Sequence, residues 1–170
     1  MEVVAVTDTV NERGHAIDDE ALAARCSATT VLISADCSAA VERVARRIHA
    51  ASGRAPSPFI RVAAANLPID AAVLTKTCAD VLETVGDGTL LLTDVEQMPA
   101  IVQDQLIETL AWLHAVREPT CRGRLIAGTS AVLHERIADG TFCERLFYRL
   151  NIIHVVATSA IRDQHEPVAL

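Results

Sequence analysis

Short apolar runs of β-forming residues alternate with segments of helical period along most of this 170-residue chain. That alternation constrains the fold more than any other feature. Strands buried on both faces read as continuous aliphatic runs, and helices between them supply the cover, so the pattern is that of an α/β sandwich around a parallel sheet. Five runs read as strands: Val31 to Ala35, Phe59 to Ala63, Thr89 to Thr93, Arg124 to Gly128 and Ile152 to Val156. Between the first two, Ala40, Val44, Ala45 and Ile48 recur at helical spacing, while Glu42, Arg43, Arg46 and Arg47 mostly fall on the other side. This predicts an amphipathic helix from Ala39 to Ala51, closed by Ser52-Gly53. Pro99 to Val116 reads as a longer helix with Pro99 as its first residue, Val102, Leu106, Leu110 and Leu113 on its apolar stripe, and Gln103, Asp104 and Glu108 opposite. Ala131 to Ala138 and Arg145 to Leu150 read as shorter helices, and Ile17 to Arg25 as a helix leading into the first strand. Residues 1–16 are expected to be an N-terminal extension, 17–158 a single domain and 159–170 a C-terminal tail.

Composition narrows the function classes. Hydrophobic residues make up 51% but aromatics only 3%, so the core is expected to be aliphatic. The 22 acids outnumber the 15 bases, for a formal charge of −7. That balance argues against direct binding to duplex DNA or to an anionic membrane, because nothing basic is in excess to neutralise phosphates. Trp112 and Tyr148 are each the only residue of their kind, which supplies base stacking poorly. No stretch approaches the roughly 20 apolar residues of a membrane span, and Glu2 stands where an export signal carries positive charge. Cys26, Cys37, Cys78, Cys121 and Cys143 are odd in number and scattered, and His114, His134 and His154 lie on separate elements. Reduced thiols in a cytoplasm and no metal site are the expectation.

The order strand, tight turn, helix invites a test for a phosphate-binding loop, which needs glycines to aim backbone N–H groups inward, a lysine, and a hydroxyl for magnesium. Val31 to His49 reads VLISADCSAAVERVARRIH. It resembles, without a gap, the VLITGESGTGKELVARAIH stretch of bacterial enhancer-binding proteins, the AAA+ activators of sigma-54 RNA polymerase. Four further blocks follow in order. SPFIRVAAANLP at Ser57 to Pro68 is similar to the family's KPFVAVNCAALP, and GTLLLTDVEQMP at Gly88 to Pro99 to GTLFLDEIGELP. RLIAGTS at Arg124 to Ser130 is similar to RIIAATN, and FCERLFYRLNII at Phe142 to Ile153 to FREDLYYRLNVV. The resemblance covers residues 17 to 157. It implies a P-loop NTPase-like, AAA+ three-layer sandwich with a five-stranded parallel sheet.

The same resemblance assigns a vestigial nucleotide site, and the residues needed for its chemistry have changed. The family's GESGTGKE corresponds to Ala35, Asp36, Cys37, Ser38, Ala39, Ala40, Val41 and Glu42, with every glycine replaced and valine in the place of the lysine. Side chains at former glycines crowd a phosphate, and Asp36 repels one. The paired acids for magnesium and the attacking water correspond to Thr93 and Asp94, and the sensor asparagine to Ser130. A neutral hydroxyl and a shortened carboxylate are poor replacements. Of the two inter-subunit arginines, the first corresponds to Cys143 and the second to Arg149; Arg145 lies nearby, and Arg149 has the alternative of pairing with Glu144 inside its own helix. No GAFTGA loop occurs, and only Ile69 to Asp87 separate the flanking blocks. The helical lid and a helix-turn-helix are expected to be lacking as well.

Simpler readings stand beside these. Asp94 suits a cap, Cys37 suits an inert small residue, and Arg43, Arg46 and Arg47 suit a solvated helix face. Three functions remain. The first is a non-catalytic AAA+-like module, without cofactor or catalytic residue, that regulates transcription by contacting a protein partner, a transcription regulator, another AAA+ protein or a further copy of itself. The second is a regulator that still binds ATP or ADP weakly, with magnesium, and hydrolyses little or none. The third is a thiol sensor at Cys37. The first is the expectation.

Overall fold

The computed structural model describes Ala23 and residues 29–115 and 123–157. Five strands, β1 (Val31–Ala35), β2 (Phe59–Ala63), β3 (Thr89–Thr93), β4 (Arg124–Thr129) and β5 (Ile153–Ala157), form one sheet in the order β2-β3-β4-β1-β5. Every pairing in it is parallel. The first three strands have the predicted bounds. The fourth runs one residue further, to Thr129, and the fifth starts and ends one residue later than expected.

Alternation along the strands divides the core in two. Val31, Ile33, Leu91, Ile126 and Val155 face helix α1 (Ser38–Ala51) and pack with its Val41, Val44, Ala45 and Ile48. Ala23, helical and fully buried, joins that layer; the rest of the predicted helix from Ile17 to Arg25 lies outside the described residues. Leu32, Leu92 and Ala127 face the other way, toward α2 (Ala71–Val85), α3 (Ala100–Ala115), α4 (Leu133–Ala138) and α5 (Glu144–Leu150). Leu74, Val102, Leu106, Ile107, Leu146, Phe147 and Leu150 from these helices complete that second core. The result is a three-layer sandwich with a largely aliphatic interior, as the sequence predicts.

Helix α2 was not predicted. Its ends carry ordinary signals: Asp70 accepts from the Val73 N–H at 3.0 Å as an N-cap, and Gly86, at φ 55°, closes it. Pro99 is not the first residue of α3 but its cap, since its carbonyl accepts from the N–H groups of Val102 and Gln103. Gln103 corrects a second expectation, because it is 1% exposed rather than on a solvent face. Its side chain is saturated, donating to the carbonyls of Met98 at 2.8 Å and Thr141 at 3.0 Å and accepting from the Cys143 N–H at 2.6 Å. Those three hydrogen bonds offset the cost of burying the amide, and it clamps α3 to the start of α5. Of the predicted α3 stripe, Val102 and Leu106 are buried and Leu110 partly so; the side chain of Leu113 lies outside the described ones.

Candidate functional site

In an open parallel sheet, ligands bind beyond the carboxyl ends of the strands where successive connections leave on opposite faces. Here that point lies between β1, which is followed by α1 on one face, and its neighbour β4, followed by α4 and α5 on the other. The predicted vestigial residues Ala35 to Glu42, Thr93, Asp94 and Ser130 all fall at the carboxyl ends of β1, β3 and β4 or in the elements that follow them.

The segment after β1 has little loop. Ala35 ends the strand, Asp36 and Cys37 form an exposed turn, and α1 begins at Ser38. A phosphate cradle uses the free N–H groups of a longer glycine-rich loop. In this chain the N–H groups of Ala40 and Val41 both donate to the Cys37 carbonyl, at 3.0 and 3.1 Å, so the helix itself consumes them. Ser38, Ala39, Ala40, Val41 and Glu42 therefore occupy the first turns of α1. Ala40 is buried, Ala39 is exposed, and Glu42 pairs with Arg46 at 2.7 Å and Arg61 at 3.5 Å.

Val41, in the lysine position, is 1% exposed and points down onto β4. A Cβ added to Gly128 would lie 2.2 Å from Val41 Cγ1 and 3.3 Å from its Cβ. The valine methyl thus occupies the room that the absent side chain of Gly128 leaves. The related family segment has alanine at position 128, so the two sites differ from it in opposite senses: a polar chain replaced by a branched apolar one, and a methyl removed beneath it.

Thr93 and Asp94 stand at the positions of the related segment's paired acids. Thr93 is fully buried, and its hydroxyl meets no partner among the described residues. Asp94 is half-buried at φ 56° and ψ 44°, the one described non-glycine residue with positive φ. Its Oδ1 accepts from Ser38 Oγ. Ser130 donates from both its N–H and its Oγ to Glu96 Oε1, at 3.2 and 2.9 Å. Sequence reasoning missed Glu96, although a carboxylate where the related segment has glycine was a signal.

The remaining candidates separate. Cys143 caps α5, its N–H spent on Gln103. Arg149 is exposed in the last turn of α5 and does not pair with Glu144, which instead accepts from Tyr148 Oη at 3.4 Å. Arg145 extends to Glu108 at 3.9 Å, both well exposed. On the outer face of α1, Arg43, Arg46 and Arg47 line an open hollow with Ala39, Glu42 and Ala50, and Arg46 also lies 4.5 Å over the Phe59 ring. His49 is buried at the opposite, amino edge of the sheet. Its Nδ1 is 2.9 Å from Thr89 Oγ1, and its ring meets Phe59 edge-on. Burial lowers its pKa below 6.5, and the positive charges of Arg46 and Arg54 act in the same direction. His134 packs over Phe147, and His154 Nε2 meets Ser34 Oγ at 2.8 Å. Among the described residues no group of three or more His, Cys, Asp and Glu is placed to hold a metal ion, and no helix is long and apolar enough to cross a membrane.

These features can be set beside known proteins. The regulatory protein AtoC of Escherichia coli (strain K12) is 35% identical over 162 residues, an overlap of 85% of this chain and 35% of its own length. The DNA-binding transcriptional regulator NtrC of the same organism is 31% identical over 160 residues, 84% of this chain and 34% of the other. The chain thus spans about a third of the length of these curated relatives. Among solved structures, NtrX from Brucella abortus in complex with ATP superposes with a TM-score of 0.65 at 27% identity, covering 89% of this chain and 39% of that one. The P-loop NTPase domain of the sigma-54 transport activator from E. coli gives 0.61 at 17% identity, 84% of this chain and all of that one; at that identity it speaks to the fold, which is that of a P-loop NTPase. The profile of the sigma-54 interaction domain matches residues 14–158, most of the chain, and the chain belongs to that family.

Proposed function

We propose that this chain is a non-catalytic AAA+-like module that regulates transcription through contact with a protein partner. Its family is that of domains found in sigma-54-dependent activators; the loss of nucleotide chemistry is our inference from the site. The observation that carries it is the seating of Val41. A triphosphate held at the end of β1 needs a cation and free N–H groups there, and this chain offers a buried valine methyl against Gly128 and amides already bonded to Cys37. Magnesium needs anionic oxygens, and the two positions offer a buried threonine and an aspartate bonded to Ser38. These residues do not fit a bound nucleotide.

The same reading takes 17–158 as the functional unit and assigns no role in sigma-54 contact to the interval between β2 and β3. In this chain that interval is occupied by the uninterrupted helix α2 and lacks the GAFTGA motif. Regulation then rests on surface complementarity with a protein, and Arg149, exposed on α5, is available to such a partner or to a second copy of the chain.

Calorimetric titration with ATP and with ADP, each in the presence of Mg²⁺, tests the proposal. No heat is expected up to millimolar nucleotide. Saturable binding in the micromolar range overturns it in favour of a regulator that senses nucleotide.

A further inference from the structure

The short turn after β3 does more than lead into α3. Asp94 and Glu96 stand two residues apart on either side of Val95, at the start of a single 3₁₀ turn (Val95–Gln97), and their carboxylates bond to different elements. Asp94 reaches Ser38 at the start of α1. Glu96 reaches Ser130 just beyond β4. In the sheet, β4 lies between β3 and β1, so the strands that lead to Asp94 and Ser38 run roughly 10 Å apart with a third strand between them. The Asp94–Ser38 bond therefore passes over the carboxyl end of β4, across the mouth of the crevice where a ligand of this fold would enter.

We propose that this turn is a fixed polar strap that closes the crevice and holds the ends of β1, β3 and β4 in one arrangement without any ligand. The inference deepens the non-catalytic reading and rests on it: a site that has lost its ligand needs another means of holding three strand ends together. Three features support a strap rather than incidental contacts. Asp94 adopts a left-handed conformation that few side chains tolerate, aspartate and asparagine being among those few. That backbone is fixed from within the turn, since the Asp94 carbonyl accepts from the Gln97 N–H at 2.9 Å. Glu96 uses one oxygen for two bonds from Ser130, a pairing that fixes both the direction of the carboxylate and the start of the loop into α4. The strap's bonds join residues 56 and 34 positions apart in sequence, so it ties segments that local structure does not. Permanent closure leaves one surface at the carboxyl edge of the sheet for a partner to meet.

Hydrogen exchange measured by mass spectrometry on the whole chain tests this. Ser38→Ala removes the donor from a half-buried helix terminus, a mild change that leaves the core untouched. It is expected to speed exchange in the first turn of α1 and in Val95 to Met98 by roughly 5- to 30-fold, as does Asp94→Ala, while Asp94→Asn, which keeps an acceptor and tolerates the backbone angle, stays within a few-fold of the parent. Glu96→Ala, which removes the acceptor, is expected to speed exchange at Ser130 and Ala131 while leaving α1 unchanged. Parent-like exchange in both Ser38→Ala and Asp94→Ala overturns the strap and leaves the non-catalytic reading standing. Protection of the parent by Mg-ATP at these segments overturns both, because the crevice then admits a ligand.

Discussion

Adding one methyl group at Gly128 tests the packing on which the functional reading depends. The new Cβ of Gly128→Ala would sit 2.2 Å from Val41 Cγ1, with Val41 Cγ2 at 3.5 Å. Carbon atoms in contact separate to about 3.5–4.0 Å, so either α1 lifts by more than an ångström or Val41 leaves its rotamer. Overpacking of this kind costs about 1–3 kcal/mol. For a domain of this length each kcal/mol lowers the melting temperature by roughly 2–4 °C, giving a drop of about 2–12 °C. The assay is a thermal and a urea melt of parent, Gly128→Ala, Val41→Ala and the double variant. Val41→Ala alone deletes two buried methyls and costs about 2 kcal/mol. In the double variant the new methyl occupies space that the old ones vacated, so the pair is expected to be at least ~1 kcal/mol more stable than the sum of the single losses. Gly128→Ala within about 0.5 kcal/mol of the parent, or single effects that add to within that margin, would show that Val41 does not rest on β4, and the argument against a phosphate site would lose its main support.

Two further outcomes follow from other buried groups. Because burial lowers the pKa of His49 from 6.5, the unfolded chain binds its proton more tightly than the folded one. The folded state therefore has its full stability above about pH 6.5 and loses it as the pH falls below that value toward the lowered one; urea midpoints should decline over this range in the parent and decline less in His49→Gln, and equal slopes would refute the assignment. Cys78, whose thiol is pushed up to about 11 by burial, should react with iodoacetamide near pH 8 about 100-fold more slowly than a free model thiol, read peptide by peptide in the mass spectrometer. A rate within tenfold of the model thiol would show that the packing of α2 against the core does not bury it.

Much of the fold was legible because its signals are local and redundant. Each strand is a run of aliphatic residues between turn signals, and sequence bounds for Val31–Ala35, Phe59–Ala63 and Thr89–Thr93 coincide with those of the sheet. Helix α2 was equally legible in principle. Asp70, Leu74, Cys78, Val85 and Gly86 give a cap, an apolar stripe and a stop, but the interval invites comparison with the family's loop rather than a reading of its own periodicity. Gln103 was misjudged because polarity alone assigns a glutamine to solvent, and nothing local announces that Met98, Thr141 and Cys143 converge to satisfy it. At the candidate site the differences from the related family segment are legible residue by residue, whereas the contacts made by the residues present are not. That Val41 faces Gly128, that Asp94 reaches Ser38 and that Glu96 holds Ser130 are contacts across 87, 56 and 34 positions, and period and propensity say nothing about pairs so far apart.

On the non-catalytic reading, the residues at the β1–α1 junction also bear on how the end of β1 is filled. Of the three glycines in the related family segment, two correspond to Ser38 and Ala40, and both lie in α1. Exchanging glycine for alanine in a helix interior favours the helix by about 1 kcal/mol, with serine contributing somewhat less. In this chain helix begins at Ser38, and the Ala40 and Val41 amides bond to the Cys37 carbonyl. With those amides in the helix, the side chain at 41 lies on the sheet, where a lysine would have to bury its charge and a valine packs. Val41, Gly128 and the bond from Ser38 to Asp94 then form one connected set of contacts. The helix sets residue 41 against β4, β4 accommodates it with a glycine at 128, and the hydroxyl of Ser38, which begins the helix, donates to Asp94.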